Sequence, residues 1–139
     1  MYSINMKEDP SKGIYHGGNA DFNRKLIERK STKAIILDHA HNKRDSLYER
    51  DSGLNQVLCR MAKQKNVIFI IDLNELNAAD LKTRAEILGR IIQNIRLINK
   101  FKNHLKIIRP NNLDDNDVLS FLISLGASTD LAKRALAKN

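Results

Sequence analysis

Cysteine and tryptophan are nearly absent from this sequence, and aromatic residues are scarce. Cys59 is the single cysteine, so an internal disulfide and a cysteine-based zinc site are both excluded. No base is spaced to activate its thiol, so a catalytic cysteine is not expected. Such cysteine usage fits a reducing compartment, and we expect a cytoplasmic protein. With no tryptophan and 5% aromatic residues, stacking platforms for single-stranded bases are not expected either.

Long apolar segments are also lacking. No window is apolar enough to cross a membrane, and the N-terminal residues "MYSINMKEDPSKG" carry no signal-peptide apolar region. Gly-rich phosphate loops and a Ser-His-Asp arrangement are absent from the sequence as well.

Positive charge is what the sequence has in excess. Among 139 residues, 24 Lys and Arg stand against 16 Asp and Glu, which gives a formal net charge of +8. Such an excess favours a polyanionic partner, with nucleic acid as the first candidate. The alternative is that the charge only keeps a basic protein soluble.

Short apolar runs alternate with helical periodicity along the chain. We predict strands at about 13–17, 33–37, 67–71 and 105–108, and helices at about 19–30, 51–65, 81–102, 114–125 and 128–137. Asn19, Asp51 or Ser52, and Ser128 are the predicted helix caps. The alternation predicts an α/β fold with a parallel sheet, a half or partial TIM-barrel-like (βα)n structure. Residues 1–12 are predicted to be a tail, and 13–139 a single (βα)4-type domain.

The long third helix carries both apolar and basic positions. Its predicted buried face is Leu81, Ala85, Leu88, Ile91, Ile92, Ile95 and Ile98. Its predicted solvent-facing cations, with the residue that follows the helix, are Lys82, Arg84, Arg90, Arg96, Lys100 and Lys102. Gly89 weakens the helix by roughly 1 kcal/mol relative to alanine, and it could allow close packing.

The segment "AIILDHAHNKRDS" ends a predicted buried strand in two histidines. His39 and His41 could share a divalent metal at the strand end, as in barrel hydrolases. Their candidate companions are His16, Asp38 and Asp72, whereas His104 precedes its strand and belongs to the opposite end. The alternative is a polar strand exit without a metal, which we favour.

Basic residues follow this segment and recur at helix ends. The candidate RNA-binding residues are Lys43, Arg44, Arg50, Arg60, Lys63, Lys65, Arg84, Lys100 and Lys102. Arg60, Lys63, Lys65, Lys100 and Lys102 would form one phosphate-binding face if neighbouring helices pack side by side. The alternatives are a solvated charge run, cations that stabilise helix C-termini, and an Asp80–Arg84 ion pair.

Distributed motifs from about residue 33 resemble the TIM-barrel protein subunit of archaeal and eukaryotic ribonuclease P. They are "KAIIL", "SGLNQVLCRMAKQKNVIFIIDLNEL", "TRAEILGRIIQNIRLINKFK" and "DDNDVLSFLISLG", in order and near the family spacing. The chain lacks the first three or four βα units of that barrel. Gln56 replaces a histidine common in archaeal relatives, and "RPNNLDDND" is a shorter, acidic loop.

The resemblance implies an RNA-binding subunit that supports the catalytic RNA in endonucleolytic removal of the 5′ leader from pre-tRNA. It implies contacts with the ribonuclease P RNA and a second small protein subunit. It implies catalysis by the RNA with magnesium, and no catalytic residue or cofactor in this chain. Lys65, Lys100 and Arg84 match basic family positions. The two edges of a half-barrel sheet lead us to expect self-association or a separate N-terminal half-barrel as partner.

Overall fold

The computed structural model describes residues 7–41, 45, 50–78 and 80–137. Its strands are β1 Ile14–His16, β2 Ala34–Ile36, β3 Ile68–Asp72 and β4 His104–Ile108. Its α-helices are α1 Ala20–Glu28, α2 Gln56–Lys65, α3 Leu81–Phe101, α4 Asp115–Ser124 and α5 Thr129–Leu136. Short 3-10 turns lie at Pro10–Lys12 and Leu73–Asn77. None of the helices in the described part is long and apolar enough to cross a membrane.

The strands form one parallel sheet in the sequential order β1-β2-β3-β4. Its first aligned row joins Ile14, Ala34, Ile68 and His104. Right-handed crossovers that always add the next strand on the same side place their helices on one face of the sheet. The result is a partial (βα)n barrel-like fold, which confirms the predicted fold class.

Both faces of the sheet are apolar, as expected for parallel strands. On the helix side, Ile35, Phe69 and Ile107 belong to the main core together with residues of all five α-helices. On the other side, Ile14, Ala34, Ile36, Ile70 and Ile108 form a second, smaller cluster. β3 contributes to both clusters because its successive side chains point to opposite faces.

Asn19 and Ser128 cap their helices as predicted, but the start of α2 was predicted wrongly. Gly53 has a φ of +83°, which breaks any helix starting at Asp51 or Ser52. The cap is Asn55, whose side chain accepts the Leu58 N–H at 2.9 Å. Leu54 therefore precedes the helix, and Val57 is 51% exposed although it is apolar.

The buried face of α3 also differs from the prediction. Leu81 is 75% exposed and Ala85 is exposed, so burial begins only at Ile87. Arg90, predicted to face solvent, is 1% exposed, and Asn94 is fully buried. These two polar residues share the face with isoleucines because they bind polar groups of the loop after β2.

Residues 9–12, predicted to be part of a tail, are attached to the sheet. The Asp9 N–H donates to the Ile14 carbonyl at 2.8 Å, and the Ile14 N–H donates to the Asp9 carbonyl at 3.0 Å. This bridge covers part of the outer edge of β1, because it uses the backbone groups of Ile14 that face away from β2.

Candidate nucleic-acid interface

The loop after β2 is fixed to the core through His39. The ring is fully buried, with Nδ1 2.9 Å from Glu75 Oε1 and Nε2 2.9 Å from the side-chain nitrogen of Asn94. That nitrogen also donates to the Ser52 carbonyl at 2.8 Å. Because a carbonyl can only accept, the Asn94 amide is oriented as a donor, and Nε2 of His39 accepts. The ring hydrogen therefore lies on Nδ1, facing Glu75.

Arg90, on α3, binds the same loop. Its Nη1 donates to the carbonyls of His39 and His41, at 2.9 Å each, and its Nε lies 3.1 Å from Asp45 Oδ1. Asp45 also accepts the Asp51 N–H at 2.7 Å. Burial alone would raise the pKa of Asp45, but the Asp51 N–H and Arg90 hold that pKa below its ordinary value.

This geometry gives no support to the metal hypothesis for His39 and His41. Both ring nitrogens of His39 are occupied by Glu75 and Asn94, and Nε2 of His41 donates to the Asp51 carbonyl. Asp72 uses its carboxylate to accept from the backbone and side chain of Asn74. Within the described ranges, no group of three or more His, Cys, Asp and Glu side chains could hold a metal ion.

Sequence reasoning missed Arg90 because an arginine in a helix is normally assigned to solvent. The available signal was its phase: Arg90 and Asn94 fall between Ile87, Ile91 and Ile95 on one face. Two polar residues one turn apart on a buried face indicate a buried polar network.

We expect Arg90→Met to lower the free energy of unfolding by about 3–5 kcal/mol, because it leaves Asp45 and two loop carbonyls without their donor. Urea unfolding followed by circular dichroism measures the change. Arg84→Met is the matched control on the exposed side of α3, with an expected change of less than about 0.5 kcal/mol. Equal effects of the two substitutions would contradict the anchoring role of Arg90.

The C-terminal ends of α2 and α3 bring four predicted cations together. Lys63 Nζ lies 2.7 Å from the Lys102 carbonyl, and the Arg60 guanidinium lies 5.2 Å from the centre of the Phe101 ring. Lys100 Nζ lies 5.5 Å from the same ring. We call Arg60, Lys63, Lys100 and Lys102 the amino-end basic face, because they surround the start of β4. The ends of α2 and α3 pack side by side there, which was the condition for the predicted phosphate-binding face.

The other predicted cations lie elsewhere. Lys65 Nζ donates to the Glu28 carbonyl at the end of α1, which supports the helix-terminus alternative. Arg84 lies on the first turns of α3 and forms no ion pair with Asp80, whose carboxylate instead accepts from Lys82 and Thr83. Arg50 lies against the middle of α3. Lys43 and Arg44 lie outside the described residues.

Three further basic groups adjoin the amino-end basic face and were not among the candidate RNA-binding residues. His104 begins β4, at the sheet end opposite to the His39 loop, as predicted. Lys106 Nζ donates to the Ala137 carbonyl at 3.2 Å, so it reaches the end of α5 near Arg134. Partial burial lowers the pKa of His104, and the charges of Lys63, Arg134 and Lys106 lower it further. The available signal in the sequence was that His104 follows the end of α3 and begins the strand beside it.

Cys59 has no catalytic environment. Its side chain is fully buried in the core, and burial raises the pKa of the thiol to about 12. The thiol is therefore protonated at neutral pH.

We expect His104 in the free protein to titrate below 6.5, its ordinary value, in an NMR pH series. Because the folded pKa is depressed, the unfolded state binds more protons, so stability falls as the pH drops from about 6.5 through the folded pKa. Lys63→Met should raise the pKa of His104 toward 6.5, whereas Lys82→Met, on the first turn of α3, should leave it unchanged. A pKa at or above 6.5 in the free protein would contradict this electrostatic arrangement.

Comparison with known proteins relates the chain to ribonuclease P. No family model matches the sequence. Over 100 residues the chain is 32% identical to ribonuclease P protein component 3 of Methanothermobacter thermautotrophicus, a match that covers 71% of this chain. The match spans 38% of that curated relative's length. In a cryo-EM structure of archaeal ribonuclease P with mature tRNA, one chain matches with a TM-score of 0.67 at 24% identity. The match covers 88% of this chain and 52% of that one.

The fold and the charged helix ends define a partial (βα)n barrel-like protein with a basic surface at the amino end of its sheet. Within that class, the chain is homologous to archaeal ribonuclease P protein component 3 over the 100 matched residues. The homology confirms the resemblance found from the distributed motifs. The structural match independently supports the barrel-like fold.

Proposed function

We propose that this chain is an RNA-binding protein subunit of ribonuclease P. It would support the catalytic RNA in endonucleolytic removal of the 5′ leader from pre-tRNA. The observation that carries the proposal is the homology to ribonuclease P protein component 3. The fold shared with half of a chain in archaeal ribonuclease P supports the same assignment.

In this proposal the division of labour follows the family resemblance. The RNA, with magnesium, hydrolyses the phosphodiester bond, and this chain holds the RNA in its active shape. The partners are the ribonuclease P RNA, a second small protein subunit and, indirectly, pre-tRNA, in the cytoplasm. The net charge of +8 favours such a polyanionic partner.

The RNA-facing surface we propose is centred on the amino-end basic face. Its four cations lie on two packed helix ends, and Lys63 and Arg60 are already positioned by the Lys102 carbonyl and the Phe101 ring. Lys and Arg on such a surface contact phosphate and sugar, so they fix position without reading base sequence. Arg50, Arg84, Lys65, Lys43 and Arg44 are proposed as additional contacts.

A protein partner for the sheet is also proposed. The outer edge of β1 is bridged by Asp9 at Ile14, while the backbone of His16 lies two residues further along that edge. An unpaired parallel edge can accept another strand. We propose that a second copy, or a separate N-terminal half-barrel, completes the sheet there.

We expect the logarithm of the affinity constant for the ribonuclease P RNA to fall linearly with the logarithm of salt concentration, because phosphate contacts release counterions. The double variant Lys63→Ala/Lys100→Ala should reduce the magnitude of that slope by about 2. Lys82→Ala, which removes one exposed charge from the other end of α3, should leave the slope near its original value. Filter binding at several salt concentrations measures both, and a flat dependence for the unmodified chain would contradict RNA binding through phosphate.

Reconstitution tests the proposed function directly. We expect the chain, added with its second protein subunit, to lower the magnesium concentration at which its own ribonuclease P RNA cleaves pre-tRNA. The protein would replace part of the charge neutralisation that magnesium otherwise provides. Lys63→Ala/Lys100→Ala should need more magnesium than Lys82→Ala. An unchanged magnesium requirement with and without the chain would overturn the proposal.

A further inference from the structure

A cleft on the outer side of α3 brings one cation of a distant loop to two cations of the helix. Arg50 comes from the loop before α2, and Arg96 and Lys100 come from α3 itself. The cleft encloses about 520 Å³ between these side chains, with Gly89 at one end. Gly89 and Lys100 are eleven residues apart, so the cleft extends about 16 Å along the helix.

Gly89 is what allows Arg50 to lie on α3. A Cβ at this position would lie 2.4 Å from the guanidinium carbon of Arg50 and 2.5 Å from its Nε, well inside contact distance. The backbone of Arg50 is held at the same place by Gln93, whose side chain donates to the Arg50 carbonyl at 2.8 Å and accepts its N–H at 3.2 Å. Gly89, which leaves room on the helix surface, and the side-chain amide of Gln93 therefore position the guanidinium of Arg50 over α3.

The cleft is positive on both sides. Arg50 has a partial partner in Asp45, 3.5 Å away, and its side chain stays 48% exposed. Among the residues that the structure describes, no carboxylate forms an ion pair with Arg96 or Lys100. The stem of Arg96 lies against the α4–α5 turn, where its Cγ would be 3.4 Å from a Cβ at Gly126. Several like charges lining one cleft attract an anion.

We infer that this α3 cleft binds the phosphodiester backbone of RNA, an inference that rests on the proposed function for its choice of partner. Two guanidinium forks match phosphate geometry, and they come from Arg50 and Arg96 on the lining of the cleft. Lys100 belongs both to the cleft and to the amino-end basic face, so the two surfaces form one continuous track. A continuous track of cations suits an extended polyanion better than a compact acidic peptide.

Gly89→Ala tests the inference without removing a charge. Alanine favours the helix, and the clashing atoms belong to the far end of a flexible side chain, so the melting temperature should not fall. Affinity for RNA should nevertheless decrease about fivefold, because Arg50 is displaced from the cleft. In an Arg50→Ala background the same substitution should have no further effect on affinity, since it acts through Arg50.

The probes are the ribonuclease P RNA and an unrelated short RNA duplex, because phosphate contacts carry no sequence information. Arg50→Ala and Arg96→Ala should each weaken binding of both probes and reduce the salt slope by about 1, unlike Lys82→Ala. If Gly89→Ala and Arg96→Ala both kept wild-type affinity for RNA, the inference that the cleft binds RNA would be overturned, while the proposed function would stand. Weakened duplex binding without any effect of the chain on pre-tRNA cleavage would overturn the function and keep the cleft. If these variants kept their RNA affinity but no longer bound the second protein subunit, the occupant of the cleft would be an acidic protein. That outcome would overturn the inference that the cleft binds RNA.

Discussion

One buried guanidinium connects the loop after β2 to the longest helix. Arg90 donates to the carbonyls of His39 and His41 and pairs with Asp45. A loop that leaves a parallel strand must satisfy its backbone carbonyls, and an arginine provides several donors in a fixed planar arrangement. With Arg90 in place, the loop can run over the apolar face of α3 without unpaired carbonyls at these two positions.

The surface depends on this buried contact. Asp45 joins Arg90 on its inner side and Arg50 on its outer side, at 3.1 and 3.5 Å. A chain of alternating charges thus runs from the core to the α3 cleft. The amide of Gln93 completes the placement of Arg50. The position of an exposed cation is therefore set by a residue that is itself inaccessible to solvent.

The sequence predicted the sheet well because buried parallel strands are continuous apolar runs, as in "VIFII", and turn residues separate them. It predicted the starts of α1 and α5 because Asn19 and Ser128 are local caps, whose chemistry needs no tertiary partner. The cap of α2 was misassigned because three polar residues compete within five positions, and only the left-handed backbone of Gly53 excludes two of them. The convergence of Lys63 and Lys102 was predicted conditionally, since it requires two helices to pack together.

By itself the sequence determined the alternation of strands and helices, the excess of positive charge and the homology to a ribonuclease P protein, because these follow from periodicity, composition and distributed identity. Only the tertiary structure decided which cations share a surface and which polar residues are buried. Arg90 and Arg96 have the same chemistry and lie six positions apart on one helix, yet one anchors a loop and the other lines a cleft. The difference arises from helix phase relative to the loop, and a pattern of residue types contains no information on where that loop lies.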